Sequence, residues 1–210
     1  ADKTLARLMS FGERLSCFII AGALTEVNLK GVYVNATQLI KTDSNYVAAK
    51  VNFDRTNKNI LEYFEHLHGI PVITGFIGTD EFNDITTLGR GGSDYTAAIF
   101  GAALKVSAIE IWSDVDGVLT ADPRRVDQAM TVPALSYKEA MELSHFGAKV
   151  IYPPTIQPAY VKGIPIYIKN TFNPEHPGTF ISKNSGKSVN MIKGISSVSD
   201  IALLRMEGTG

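Results

Sequence analysis

The alternation of two periodicities constrains the fold of this chain more than any other feature. Stretches with apolar residues three and four positions apart alternate with short runs rich in Val, Ile and Tyr. The first pattern is typical of amphipathic helices and the second of buried strands. Because helices that alternate with strands act as crossovers between parallel strands, the chain is predicted to form an α/β fold with a mainly parallel sheet.

The patterns place these elements along the chain. Strands are predicted at 31–34, 46–51, 70–75, 108–113 and 164–169, and helices at 15–23, 60–67, 93–104, from 136 onward and at 155–162. Ser136 and Glu139 have the spacing of a capping box. The apolar residues Leu15, Phe18 and Ile19 are expected to face the sheet. The Pro- and Gly-containing stretch 173–188 is interpreted as a boundary or linker.

Charge, apolar run length and cysteine content exclude several classes of protein. Lys and Arg number 20 and Asp and Glu 21, so the net charge of −1 gives no global field for nucleic acid or an anionic membrane. The longest apolar runs, 17–24 and 97–104, fall well short of the roughly 18 residues that a membrane span needs. One cysteine, Cys17, and no recognisable export signal predict a cytoplasmic protein without disulfides.

A glycine-rich run at 89–94 precedes the helix predicted at 93–104. Its glycines let backbone amides approach an anion, and the helix N-terminus adds a partial positive charge. The guanidinium of Arg90 fits a carboxylate or a phosphate. The run is not a dinucleotide fingerprint, because Asp94 stands where that motif needs its third glycine. A turn whose glycines serve only backbone geometry is the alternative.

Acidic residues follow the strand predicted at 108–113. Asp114, Asp116 and Asp122 are candidates for hydrogen bonds to a ribose or to metal-bound water, and Arg124 for a phosphate contact. The run is not a calcium loop of the EF-hand type, since Arg125 occupies the position that requires Glu. A solvated acidic turn is the alternative.

Two further candidates are single charged residues beside glycines. Lys149 follows Phe146-Gly147-Ala148, and an ammonium group suits phosphate oxygens. Glu13 follows Phe11-Gly12 in the first turn of a predicted helix, where the helix dipole stabilises a carboxylate. An exposed lysine and an ordinary helix-terminal acid are the respective alternatives.

Taken in chain order, these motifs resemble those of the aspartokinases, which are amino acid kinases. The resemblance covers about residues 8–182, and the motif sequences are most similar to those of the bifunctional aspartokinase/homoserine dehydrogenases. It rests on Phe11-Gly12-Glu13, Val72-Ile73-Thr74-Gly75-Phe76, Thr86 to Asp94, Trp112 to Arg124, Phe146 to Val150 and Lys169-Asn170-Thr171. The resemblance implies a three-layer α/β/α sandwich that binds ATP and an acidic substrate across its strand ends.

The resemblance also implies roles for single residues. Arg90 would hold the α-carboxylate of L-aspartate, Glu13 would accept its α-ammonium group, and Lys149 would reach the phosphates of ATP. The implied catalytic residues are Arg90, Asp94 and Lys149. The implied aspartate-binding residues are Glu13, Gly89, Arg90, Gly91, Gly92, Ser93 and Asp94. The implied nucleotide-binding residues are Ser113, Asp114, Asp116, Gly117, Leu119, Asp122, Arg124 and Lys149.

The implied reaction transfers the γ-phosphoryl group of ATP to the β-carboxylate of L-aspartate, which gives 4-phospho-L-aspartate. This is the first step of lysine, threonine and methionine biosynthesis. Mg²⁺ is expected to arrive with ATP, and no protein ligand to a metal is predicted. Two alternatives stay open at this point: a related kinase that acts on another acid, such as glutamate, and a binding module without catalysis.

The resemblance also predicts how the chain is divided. Residues 1–183 would form part of a catalytic domain, and residues 184–210 a linker with the truncated start of a regulatory ACT region. Family members open with a strand and a Lys-Phe-Gly-Gly stretch that this sequence does not contain. The N-terminal part of the family fold is therefore predicted to be missing, and the full-length protein is expected to form a homo-oligomer.

Overall fold

The computed structural model describes residues 1–145, 151–184, 192–197 and 202. The α-helices in this part are α1 (Asp2–Glu26), α2 (Phe53–Glu65), α3 (Gly92–Leu104), α4 (Tyr137–His145) and α5 (Pro153–Lys162). The strands are β1 (Gly31–Val34), β2 (Ile70–Ile73), β3 (Ile77–Thr79), β4 (Ile85–Thr87), β5 (Ile109–Ser113), β6 (Ala134–Ser136), β7 (Ile166–Asn170) and β8 (Thr179–Ser182).

The strands form three small sheets. Strand β1 pairs in parallel with β2, and β3 pairs antiparallel with β4. The third sheet has the order β5-β7-β8-β6, in which β5/β7 and β6/β8 are parallel and β7/β8 is antiparallel. Parallel pairs and helical crossovers predominate in the part of the chain that the structure describes, so the α/β prediction is confirmed.

Helix α3 lies between the two hydrophobic clusters of the structure. Its Ala98 belongs to the cluster that contains Ile156 and Ile168, whereas its Ile99 and Phe100 belong to the cluster of β1 and α2. A helix that is apolar on every side can be buried on both faces, as the composition of 93–104 predicts. The prediction for this helix is confirmed.

The side of α1 that faces the strands is the opposite of the predicted one. Leu15, Phe18 and Ile19 are 61, 64 and 57% exposed, while Ala6 and Ala21 are buried. Helix α1 packs on β1, β2 and β4. Small side chains on its inner face let the helix backbone approach the strands closely, so the large residues remain outside.

Helix α1 also corrects the expectation that no segment could span a membrane. It has 25 residues, an 18-residue window within it has a mean hydropathy of 1.3, and by length and composition alone it is apolar enough to cross a membrane. The helix contains no long uninterrupted apolar run, because Arg7, Glu13 and Arg14 divide its apolar residues. Buried helices of soluble proteins and signal sequences pass the same criterion; α1 lies against three strands, with 17% of that window buried.

Two predictions fail between residues 40 and 190. Residues 46–51, predicted as a strand, form a turn and a single bridge from Val51 to Thr42. Asp43 Oδ1 accepts hydrogen bonds from the Asn45 and Lys50 amides, which curls this segment. The predicted linker 173–188 contains β8, which pairs antiparallel with β7 after a turn at Gly178.

The capping box at the start of α4 is confirmed. The Ser136 amide donates to Glu139 Oε2 at 2.6 Å, and the Glu139 amide donates to Ser136 Oγ at 3.2 Å. The same carboxylate forms an ion pair with Lys193, whose Nζ lies 2.9 Å from Oε1. Two residues further on, the Ile195 amide donates to Thr120 O at 2.8 Å. Residues 192–197 are thus attached to both α4 and the segment that follows β5.

Candidate functional site

The candidate site lies at the carboxyl ends of parallel strands. In the β5/β7 pair Ser113 stands opposite Asn170, so the segments after both strands emerge at one edge. Helix α3 leads back into β5 and packs against it, which brings its N-terminus to this edge as well. Ligands of open α/β sheets bind at this edge.

The glycine-rich turn presents Arg90 to solvent. Gly89 and Gly91 have φ values of 76° and 68°, and both flank Arg90. A Cβ on Gly92 would lie 2.7 Å from Phe76 Cδ2, so this position also needs glycine. Arg90 is exposed, and in the described ranges its guanidinium has neither an ion pair nor a hydrogen bond. The N–H groups of this guanidinium are therefore available to an anionic ligand.

Glu13 is held against the turn that follows β2. The Gly75 amide donates to Glu13 Oε1 at 2.6 Å. A Cβ on Gly75 would lie 2.8 Å from that oxygen and 3.0 Å from Ser93 Cα. The sequence predicts Glu13 and Ser93 to share a pocket. The structure brings them together through the backbone of Gly75, which the sequence analysis assigned no role.

Cys17 lies one helical turn after Glu13 and contacts the same strand end. Its Sγ donates to Ile73 O at 3.4 Å. Burial raises the pKa of this thiol, and the carboxylate of Glu13 raises it further. Because the thiolate is the reactive form, Cys17 is unsuited to be a nucleophile at neutral pH.

Asp94 lies half-buried in the first turn of α3. Burial raises the pKa of its carboxyl group above the ordinary value. Within the described part of the chain this carboxyl group makes no hydrogen bond or ion pair. Acids whose pKa is raised by burial are enriched at functional sites, which supports the prediction that Asp94 belongs to the site.

Replacing Asp94 with asparagine is expected to stabilise the protein at neutral pH. Because the folded-state pKa is raised, the energetic cost of ionisation is absent below pH ~4, grows as the pH rises and levels off above the folded-state pKa. The gain should not exceed about 1 kcal/mol, since the group is only half-buried. Urea unfolding of both proteins between about pH 3 and pH 7.5 measures it.

Asp114→Asn is the matched control for that series. Asp114 is exposed, so its substitution should change the free energy of unfolding by less than about 0.5 kcal/mol. A gain for Asp94→Asn that is the same at every pH would contradict burial of the charge as its cause.

The acidic loop after β5 is tied to the loop after β7. Asp116 Oδ1 accepts hydrogen bonds from Asn170 Nδ2 at 2.9 Å and Asn173 Nδ2 at 3.1 Å. These bonds, that of Asn170 foremost, lower the pKa of Asp116. The Thr171 amide donates to Ser113 O at 2.8 Å, while Asp114 stays exposed. Asn170 was part of a recognised motif without an assigned role, and Asn173 was missed.

Gly117 and Thr179 hold the segment that leaves this loop. Thr179 Oγ1 accepts from the Val118 amide at 2.8 Å and donates to Val132 O at 2.7 Å. Gly117 has a φ of 118°, and a Cβ there would lie 2.5 Å from Thr179 Oγ1. Leu119 then pairs with Thr131 across a hairpin. Thr179 was missed because it lies in the stretch interpreted as a linker.

Asp122 and Arg124, both predicted to bind the nucleotide, form an ion pair with each other. Arg124 Nε donates to Asp122 Oδ1 at 3.0 Å, and Arg124 Nη2 donates to Oδ2 at 2.7 Å. The guanidinium lowers the pKa of Asp122 to about 2. The side chain of Arg124 is 77% exposed, so a phosphate can still reach it. Both residues were predicted for a nucleotide pocket, and their mutual ion pair was not foreseen.

Lys149, with the motif Phe146 to Val150, lies outside the described residues. The next residues return to the glycine-rich turn. A Cβ on Gly91 would lie 2.6 Å from Tyr152 Cβ, so Tyr152, at the start of α5, covers this turn. Sequence reasoning gave Tyr152 no role, and α5 itself packs against α3.

The geometry can recognise anions in two neighbouring places. One is the turn with Arg90, where the backbone amides of Gly89 and Gly91 lie next to the N-terminus of α3. The other is the segment after β5, where hydroxyl, carboxylate and guanidinium groups are exposed. In the ranges that the structure describes, no three His, Cys, Asp or Glu side chains are grouped so that they could hold a metal ion.

Comparison with known proteins agrees with this geometry. Residues 2–170 match the sequence model of the amino acid kinase family. The chain is 38% identical over 208 residues to a bifunctional aspartokinase/homoserine dehydrogenase of Buchnera aphidicola, covering 99% of this chain and 26% of the relative. It is 37% identical over 212 residues to the chloroplastic aspartokinase 1 of Arabidopsis thaliana, covering 99% of this chain and 37% of that protein.

Solved structures give the same result. Aspartokinase III of E. coli, crystallised with aspartate and ADP, superposes with a TM-score of 0.83 at 31% identity, covering 88% of this chain and 42% of the other. The resemblance to aspartokinases that the motifs predicted is thereby confirmed. The chain spans well under half the length of these relatives.

Proposed function

Because the chain belongs to the amino acid kinase family, we propose that it is the substrate-binding portion of an aspartokinase that phosphorylates L-aspartate with ATP. The observation that carries the proposal is the convergence of Glu13, the Gly75 amide and Ser93 beside the glycine turn of Arg90. A carboxylate and an unpaired guanidinium at one strand edge match the ammonium and carboxylate groups of an amino acid.

The amino acid would bind between Glu13 and Arg90. Glu13 Oε1 accepts from the Gly75 amide, and the second oxygen of this carboxylate remains available for the α-ammonium group. The guanidinium of Arg90 would bind the α-carboxylate in a bidentate manner. Ser93 and Asp94, at the start of α3, would border the same pocket, with the positive end of the helix dipole towards the bound acid.

The nucleotide would bind along the segment after β5. Ser113, Asp114 and Asp116 offer hydroxyl and carboxylate groups at the strand edge, and Asn170 keeps Asp116 in place. Arg124 is exposed and would meet the phosphates. Gly117, Leu119 and Asp122 would shape the pocket through the hairpin that Thr179 supports. Lys149 retains its predicted role as a second phosphate-binding cation.

The proposed reaction needs positioning more than acid–base chemistry. An oxygen of the substrate β-carboxylate attacks the γ-phosphorus, and the bond from that phosphorus to the β,γ-bridging oxygen breaks, so ADP leaves with the electron pair. The attacking carboxylate, with an ordinary pKa of ~3.9, is already ionised at neutral pH, and no general base is required. Mg²⁺ would enter bound to ATP and neutralise phosphate charge.

ADP formation at a fixed ATP concentration tests the proposal. We expect the rate to depend on L-aspartate and to rise at least tenfold above the rate without an acid. The same assay with L-glutamate distinguishes a related kinase for another acid. Equal rates with and without aspartate, together with calorimetric binding of ATP, would instead identify a binding module. The cytoplasmic location and the homo-oligomer stay predictions.

A further inference from the structure

A second polar cavity lies apart from the site of Glu13 and Arg90. Its volume is about 340 Å³, it is open to solvent on one side, and it is lined by α2, the turn at 80–83 and Lys41. Arg55, Lys58, Asn59 and Glu62 line it from α2. Their spacing of three and four residues places them on one face of the helix. Among the residues that the structure describes, none that was predicted for aspartate or ATP lines this cavity.

Lys41 and Arg55 place two positive charges in this cavity. Lys41 is half-buried, and its Nζ donates to Thr79 Oγ1 at 2.8 Å. Burial lowers the pKa of Lys41, and the neighbouring Arg55 lowers it further. In the described part of the chain, no carboxylate forms an ion pair with either cation within 4.0 Å.

Three acidic residues, Glu62, Asp80 and Glu81, also line the cavity. Glu62 pairs with Lys58, with Oε1 and Nζ 3.7 Å apart. Asp80 is 1% exposed, and its carboxylate accepts hydrogen bonds from Ser44 Oγ and from the Phe82 and Asp84 amides at 2.9–3.0 Å. Asp80 therefore stabilises its own turn. Its charge raises the pKa of Lys41, against the larger effect of burial, but it forms no ion pair within 4.0 Å with Lys41 or Arg55.

The first turn of α2 supplies Arg55 to the cavity. Helix α2 begins at Phe53, and Arg55 is its third residue. Thr56 of the same turn accepts the Lys41 amide at 3.0 Å through Oγ1, which attaches the lysine to this helix end. The N-terminus of a helix carries a partial positive charge, which favours a bound anion.

We propose that this cavity binds a small oxyanion, a phosphate or carboxylate group, between the ammonium group of Lys41 and the guanidinium of Arg55. A planar guanidinium and a point charge separated by a cavity form a two-sided clamp for such a group. Asn59 contributes an amide to the wall. The proposal is independent of the aspartokinase function, because it uses no residue of that site.

Calorimetric titration of the 210-residue chain with inorganic phosphate, at constant ionic strength, tests the proposal. We expect Arg55→Gln and Lys41→Gln each to weaken phosphate binding at least tenfold. Arg55 is exposed, so its variant should fold normally, which a thermal melt verifies. Lys50→Gln removes an exposed cation that does not line the cavity, and this control should bind phosphate as the unmodified chain does.

Arg90→Ala separates this cavity from the aspartate site. Phosphate binding that survives Arg90→Ala but not Arg55→Gln supports the cavity. Binding that survives both Lys41→Gln and Arg55→Gln, or that only Arg90→Ala abolishes, overturns it. A parallel titration with succinate distinguishes a phosphate from a carboxylate ligand, and absence of binding for both probes also overturns the proposal.

Discussion

Replacing Arg90 with alanine is expected to weaken L-aspartate binding about 30- to 160-fold, which corresponds to about 2–3 kcal/mol for a lost charge-assisted hydrogen-bond pair. The guanidinium is exposed and has no partner in the described ranges, so its removal leaves no buried group unsatisfied. Gly89 and Gly91 hold the backbone of the turn independently of the side chain. The loss should therefore be specific to the ligand and spare folding.

Calorimetry with L-aspartate in the presence of ADP, and with ADP alone, measures this effect. ADP affinity should change less than threefold in Arg90→Ala. Arg124→Ala is the matched control, since it removes an exposed arginine from the other half of the site and should affect ADP more than aspartate. If Arg90→Ala weakens ADP more than aspartate, the role proposed for Arg90 is wrong.

Replacing Gly117 with alanine is expected to lower the free energy of unfolding by about 3 kcal/mol or more. The φ of 118° is one that side-chain-bearing residues rarely adopt. In addition, the new Cβ would lie 2.5 Å from Thr179 Oγ1 and 3.0 Å from the Thr179 amide nitrogen. The hydrogen bond from Val118 to Thr179 must then lengthen, which displaces the segment proposed to bind the nucleotide.

Gly163→Ala provides the control for backbone strain. Gly163 has a φ of 69°, and nothing lies within 4 Å of a Cβ at this position. Its substitution should cost about 1–2 kcal/mol, as expected for a left-handed residue without a steric clash. Urea unfolding of both variants measures the difference. Equal losses would show that the contact with Thr179 contributes nothing beyond the backbone angle.

Elements with local signals could be predicted from the sequence. The apolar run of α3, the capping box of Ser136 and Glu139, and the stop of α5 at Gly163 depend on neighbours within a few residues. The position of Glu13 and Ser93 in one site followed from motif order in a family resemblance. The structure adds that Gly75 joins Glu13 to Ser93. This link could not be predicted, because the turn at Gly75 comes from a distant part of the chain.

Features that depend on distant partners could not be predicted. The inner face of α1 is set by close approach to three strands, which favours alanine there and leaves Phe18 outside. Strand β8 is stabilised by β7 and β6, and its own sequence is short and flanked by Pro and Gly. The bond from Asn170 to Asp116 joins residues 54 positions apart. No local pattern encodes such pairings.

The attachment of residues 192–197 has a mechanical consequence for the hairpin that follows β5. One connection is a backbone hydrogen bond from Ile195 to Thr120, and the other is the ion pair of Lys193 with Glu139, whose lysine side chain is only 17% exposed. If the segment through Thr120 shifts, either residues 192–197 shift with it or the hydrogen bond to Ile195 breaks. The hairpin and the chain around residue 195 are therefore coupled, and a displacement that keeps both contacts must displace the two together.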